Sequence, residues 1–213
     1  MNTCVIFGAA EFNKLLAPID RGDFVLAADG GLGHTEKLGL RPDGILGDFD
    51  SLGYVPEGAQ VYPVEKDDTD SMLAVRKGLE LGYRRFVLYG ALDGPRLDHT
   101  VANLQTLLFL AEHGARGYLV GKDCVVTTLR NETVVFPSRC SGILSLFCLG
   151  EKAEGVTIRG LKYALEDGTL ESSFPLGVSN HFMGEEAAVT VKKGTLIAIY
   201  EARNGLLPED KAC

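Results

Sequence analysis

The chain has 213 residues, of which 46% are hydrophobic and 23% charged, and a formal net charge of −8. That length suits one large or two smaller domains of a globular protein. The negative balance argues against bulk binding to nucleic acid or to an anionic membrane surface, though not against a small anionic ligand beside a bound metal.

No apolar stretch reaches the length of a membrane span, and residues 4–7 are too short for the apolar core of a signal peptide. A cytoplasmic location is the expectation. The five cysteines, Cys4, Cys124, Cys140, Cys148 and Cys213, lack CxxC or His-paired metal spacing. Cys4, Cys124 and Cys148 fall in apolar runs and read as buried reduced thiols.

In chain order, residues 3–7 and 24–28 read as strands, and 32–38 as a short helix stopped by Gly39. Residues 44–46 and 59–64 are further strands. A helix over 68–81 is expected to be capped near Asp68 or Thr69 and to stop at Gly82. A strand at 85–89, a strongly apolar helix at 100–113 and a strand at 116–120 follow. This alternation predicts an α/β domain over residues 1–122 with a mostly parallel sheet.

Beyond residue 122 only β signals remain. Residues 124–129 and 133–136 flank Arg130-Asn131-Glu132 as a hairpin would. Short β runs at 143–149, 155–158, 189–191 and 196–200 complete an antiparallel β-sandwich over residues 123–213.

Three acidic clusters each follow an apolar run: Gly47-Asp48-Phe49-Asp50-Ser51, Lys66-Asp67-Asp68-Thr69-Asp70 and Arg96-Leu97-Asp98-His99. Carboxylates gathered at strand ends repel one another unless a cation lies among them. Asp48 and Asp50, two apart, would face one side of an extended chain, and such a pair suits magnesium. Each cluster also has a plainer reading. A lone DxD is common in surface loops, the second cluster suits helix capping, and Arg96 with Asp98 suits a surface ion pair. His99 reads more simply as a loop-orienting or capping residue than as an acid–base. Against these stands the expected helix N-terminus after Arg96, which with the guanidinium favours phosphate. A fourth element, Ala28-Asp29-Gly30-Gly31, permits close backbone approach to a ligand and otherwise reads as a turn.

In this order, Ala28-Asp29-Gly30-Gly31, the Asp48–Asp50 motif, Lys66-Asp67-x-Thr69-Asp70 and Arg96-Leu97-Asp98-His99 with Asn103 resemble the thiamine pyrophosphokinase family. Gly160-Leu161-Lys162-Tyr163 with Leu165, then Gly177-Val178-Ser179-Asn180, resemble its thiamine-side segment. The resemblance implies an α/β ATP-binding catalytic domain joined to a thiamine-binding β-sandwich. It also implies a homodimer whose sites are shared between subunits. The implied reaction is ATP plus thiamine giving AMP and thiamine diphosphate, with the thiamine hydroxyl attacking the β-phosphorus.

Carried over, Asp48, Asp50 and Asp70 would bind Mg²⁺, and Asp29 would lie near the reacting groups. Lys66, Asp67, Arg96, Asp98, His99 and Asn103 would serve the nucleotide, with Arg96 and Lys66 neutralising phosphate charge. Ser179 and Asn180 would face the thiamine pyrimidine. Asp48 or Asp70 is the candidate proton acceptor. Two departures stand out. Pro95 replaces a glycine usual before the Arg and removes one N–H donor, and the chain has no Trp to stack on thiamine, leaving Phe182 or Tyr163, for each of which core packing is the plainer reading. The competing readings are a haloacid-dehalogenase-like phosphatase with Asp48 as nucleophile, and a non-catalytic thiamine- or nucleotide-binding protein.

Overall fold

The computed structural model describes residues 2–50, 52–65 and 67–201. Ser51, Lys66 and Cys213, named above, lie outside them. The chain divides after Lys122 into two compact units.

In the first unit, β1 (Cys4–Phe7), β2 (Phe24–Ala28), β3 (Gly44–Gly47), β4 (Gln60–Val61), β5 (Arg85–Tyr89) and β6 (Arg116–Val120) lie in the order β6-β5-β1-β2-β3-β4. Every pairing within this set is parallel, with Val5 opposite both Val25 and Val87. The central strands are continuous apolar runs because both faces are covered, and Cys4, Phe7, Ala27, Phe86 and Leu88 have no exposed surface.

Helices α1 (Leu32–Lys37), α2 (Asp70–Glu80) and α3 (Leu97–Glu112) connect the strands. Thr69 caps α2, its hydroxyl accepting from Met72 N at 3.2 Å. The same helix stops where Gly82 turns to φ 89°. From β1 the chain proceeds outward through β2, β3 and β4, and α2 then returns it to β5 on the other side of β1. The direction of winding therefore reverses between β1 and β5, where open parallel sheets bind ligands beyond their strand ends.

Two expectations for this unit change. The strand at 59–64 shrinks to Gln60–Val61, a sheet edge with both residues exposed. Helix α3 begins at Leu97 rather than near residue 100. Leu97 is 76% exposed, so the first turn lacks the apolar repeat that marks the rest.

The second unit contains β7 (Cys124–Arg130), β8 (Thr133–Phe136), β9 (Ile143–Cys148), β10 (Lys152–Arg159), β11 (Leu165–Glu171), β12 (Gly177–His181), β13 (Ala187–Thr190) and β14 (Thr195–Glu201). They form two antiparallel arrays, β12-β9-β14-β7 and β11-β10-β13-β8. Phe136 of the second array meets Tyr200 of the first, ring centroids 5.5 Å apart.

The hairpin expected across Arg130-Asn131-Glu132 does not form: β7 pairs with β14, and β8 with β13. Asn131, at φ 52°, instead turns the chain from one array to the other, its side chain accepting from Gly194 N at 2.8 Å. Strands β11 and β12 have no forecast counterpart, since most of their residues are polar and only Leu170 and Asn180 in them are buried. Among the thiols, Cys4 and Cys140 are buried, whereas Cys124 and Cys148 are only half-buried at their strand termini.

Candidate functional site

The register of β2 and β3 sets Ala28 opposite Leu46, so the next residues, Asp29 and Gly47, emerge side by side. Two close approaches hold them there. A Cβ on Gly31 would lie 1.8 Å from Phe7 O, and one on Gly47, at φ 152°, would lie 3.1 Å from the Cα of Asp29. Asp29 itself is left-handed at φ 47°. Non-glycine residues adopt this conformation at a cost of about 1–3 kcal/mol, which the surrounding structure must offset.

Strand β3 ends at Gly47, and Phe49 is left-handed at φ 59° with its ring buried. Asp48 and Asp50 therefore converge through a tight turn anchored by Phe49, not through the extended alternation expected above. Asp50 N donates to Asp48 Oδ1 at 3.3 Å. Carboxylate oxygens of Asp29, Asp48 and Asp50 all lie within 4.8 Å of one another, the first two residues half-buried and the third exposed. At such a separation each like-charge pair repels by about 1 kcal/mol in water and by roughly 3–4 at a protein-like effective dielectric. Magnesium takes hard oxygen ligands, carboxylates above all, so this donor set suits that ion in its chemistry.

Helices α2 and α3 follow β4 and β5, so as crossover helices of a parallel sheet both start at the edge where strands end. Asp70 opens α2 but is not part of the three-carboxylate group. One of its oxygens, like one of Asp29, is shielded from solvent. Asp68 pairs with Arg76 at 3.1 Å, and Asp67 is exposed.

At the start of α3, Arg96 grips Asp98 through two bonds, Nη2 to Oδ2 at 2.5 Å and Nε to Oδ1 at 3.2 Å. The pair raises the guanidinium's pKa and holds the Asp98 carboxyl below its ordinary range, chiefly through their hydrogen bonds. The surface ion pair is thus formed, with both side chains exposed. His99 donates its backbone N–H to Asp98 Oδ1 at 3.1 Å. Asn103 is buried and donates to Ala91 O at 2.7 Å, fastening α3 to the loop that leads to Arg96.

The segment after β1 went unmarked in the sequence, although Gly8 ends an apolar run there. Gly8 N and Ala10 N donate to Tyr89 O and Gly90 O at 2.8 and 3.0 Å, beside the reversal point. Phe12 packs on Phe7, Tyr89 and His34, and Leu16 N donates to the Tyr89 hydroxyl at 3.0 Å.

In the second unit, Ser179 is exposed and left-handed at φ 62°, its N–H donating to Ser145 Oγ at 3.0 Å. Asn180 is buried and bonded to the backbone of Tyr163. Phe182 lies in the core against Phe136, while Tyr163 is exposed with the Lys162 ammonium 5.2 Å from its ring centroid.

Solved structures share this architecture. A thiamine pyrophosphokinase from Bacillus subtilis is 22% identical with a TM-score of 0.80, the alignment covering 94% of this chain and 99% of that one. One from Geobacillus thermodenitrificans is 24% identical with a TM-score of 0.77, covering both chains completely. At these identities the likeness shows the fold. A thiamin pyrophosphokinase family protein from Enterococcus faecalis, at 25% identity, has a TM-score of 0.78 over 94% of this chain and 98% of that one. No curated protein matches the chain. Two family models do match: "Thiamin pyrophosphokinase, catalytic domain" over residues 17–119 and "Thiamin pyrophosphokinase, vitamin B1 binding domain" over residues 132–196. Together they span most of the chain, which belongs to the thiamin pyrophosphokinase family.

Proposed function

We propose that this chain transfers the diphosphoryl group of ATP to the hydroxyl of thiamine, forming thiamine diphosphate and AMP. The observation that carries the reading is the convergence of Asp29, Asp48 and Asp50 at the ends of parallel strands, within the catalytic-domain match. Residues 1–122 are read as the ATP-binding catalytic domain and 123–213 as the thiamine-binding domain. The contact of Phe136 with Tyr200 supports reading the latter's two arrays as a sandwich. Family resemblance supports a cytoplasmic homodimer; no helix among the described residues is long and apolar enough to cross a membrane.

Asp29, Asp48 and Asp50 would hold Mg²⁺. When bound, the ion supplies charge neutralisation and orientation of phosphate oxygens. The thiamine hydroxyl oxygen attacks the β-phosphorus, and the bond from that phosphorus to the α–β bridging oxygen breaks. AMP leaves with the bridging oxygen. The hydroxyl proton passes to a carboxylate, for which we choose Asp70, outside the three-carboxylate group. Arg96 exchanges Asp98 for phosphate oxygens, a small loss because exposed ion pairs contribute little. Lys66 adds positive charge, and Asp67, Asp98 and His99 serve the nucleotide side. Asn103 supports that loop from beneath, and Ser179 serves thiamine.

The test is chromatographic analysis of nucleotides from ATP, Mg²⁺ and purified protein. AMP is expected only when thiamine is present. ADP instead, or phosphate released from simple monoesters, would overturn the reading in favour of a kinase or phosphatase. Binding of both substrates without AMP would leave a non-catalytic binding protein.

A further inference from the structure

Residues 160–164 belong to neither β10 nor β11, yet they are laid along the end of β12. Leu161 bridges Phe182, and Lys162 N donates to His181 O at 3.0 Å. One residue further on, a side chain replaces the main chain. Tyr163 N donates to Asn180 Oδ1 at 2.9 Å, Asn180 Nδ2 donates to Tyr163 O at 2.7 Å, and His181 N donates to the same Oδ1 at 2.9 Å.

A primary amide offers two acceptor sites and two donors. Both acceptor sites of Asn180 are thus occupied by backbone N–H groups, and the residue is only 5% exposed. A β-bulge turns it inward. The register of β12 against β9 shifts between Gly177 and Asn180, where Ser179 is left-handed and held by Ser145 Oγ. Bulges commonly re-aim side chains next to functional sites. Here Ser179 is turned to solvent and Asn180 to Tyr163, a residue that remains 57% exposed.

We infer that Asn180 is a positioning residue for the thiamine-side surface: it clamps the Tyr163 peptide, and through it the exposed Tyr163 ring, without touching thiamine. The inference rests on reading this segment as thiamine-facing. It also replaces the direct contact that the family resemblance implied for Asn180. Aspartate keeps the acceptors but cannot donate to Tyr163 O, and alanine removes the whole clamp.

The experiment combines steady-state kinetics with amide hydrogen exchange on Asn180→Ala, Asn180→Asp, Tyr163→Ala and the Asn180→Ala/Tyr163→Ala double variant. Asn180→Ala is expected to raise the KM for thiamine about 10-fold and leave that for ATP within about twofold, with Asn180→Asp intermediate. Exchange at the Tyr163 N–H should accelerate by about 10-fold or more in Asn180→Ala. In the Tyr163→Ala background, losing Asn180 should add less than about twofold to the thiamine KM. An undiminished increase in that background would mean direct contact and overturn the inference. So would unchanged exchange at Tyr163, or an unchanged thiamine KM in Asn180→Ala. If the wild-type protein forms no AMP, the activity reading fails by itself, and the exchange measurement still decides whether the clamp exists.

Discussion

Asp29, Asp48 and Asp50 stand at the ends of strands buried on both faces, whereas Lys162, Tyr163 and Ser179 stand on or beside strands that are mostly polar and bury only Leu170 and Asn180. In the first region the backbone is placed by core packing. Gly31 is pressed on Phe7, Gly47 lies beside Asp29, and the buried Phe49 ring anchors the turn. In the second the backbone is placed by side-chain hydrogen bonds from Asn180 and Ser145. The difference follows from what each region holds. Like charges in a group need a rigid frame to oppose their repulsion until a cation neutralises it. An exposed ring and hydroxyl repel nothing and need only be oriented.

If core packing places the carboxylates, the largest effect belongs to a residue carrying no chemistry. Gly31→Ala would push a methyl group into Phe7 O and should destabilise the protein by about 3 kcal/mol, measured by urea unfolding. Gly33→Ala is the control: with nothing within 4 Å of its added methyl, it should be neutral or slightly stabilising. Equal stability of the two variants would show that the strand ends are plastic and would erase the contrast with the second unit.

Next in size, Asp48→Asn should lower kcat/KM at least ~100-fold, about 2.7 kcal/mol of transition-state stabilisation, without lowering the melting temperature. Asp70→Asn should lose a comparable factor if that carboxylate takes the proton. A variant of Asp48 that turns over normally would break the metal assignment. One that unfolds would instead show the carboxylate to be structural.

The smallest effect compares thiols of the two units. Burial pushes Cys4 from 9.0 up to about 12. The folded-state value is the higher one, so the unfolded chain loses this proton first. The contribution is intact below pH 9 and declines by about 1.4 kcal/mol per pH unit between 9 and about 12. Urea unfolding at pH 8 and pH 10 should show that decline in the wild type, and Cys4→Ala should lack it. An equal decline in both would assign it to other groups. The half-buried Cys148 should react with thiol reagents well before Cys4.

Elements buried on both sides were legible to the residue: strands at 24–28, 85–89 and 116–120 lie where the apolar runs placed them. Thr69 and Gly82 bounded α2 because capping and left-handed turns are chemistry of single residues. Legibility failed wherever burial was one-sided or absent. The solvent-facing turn at Leu97 hid the start of α3, and polar β11 and β12 exist through pairing with β10 and β9 rather than through their own pattern. The Asp48–Asp50 pair was visible, but for the wrong geometric reason, since a left-handed Phe49 brings it together.

By itself, then, the sequence determined the alternation of α/β and β signals, the helix caps and stops, and the ordered acidic and Ser179-Asn180 motifs from which the family was legible. Tertiary structure alone decided the partners. It paired β7 with β14 instead of β8, drew Asp29 to Asp48 and Asp50, and engaged Asn180 with a backbone far from it in sequence. The physical reason is that caps and periodicities are satisfied within a few residues, whereas register, close backbone contact and a buried amide's bonds depend on which distant segment arrives alongside.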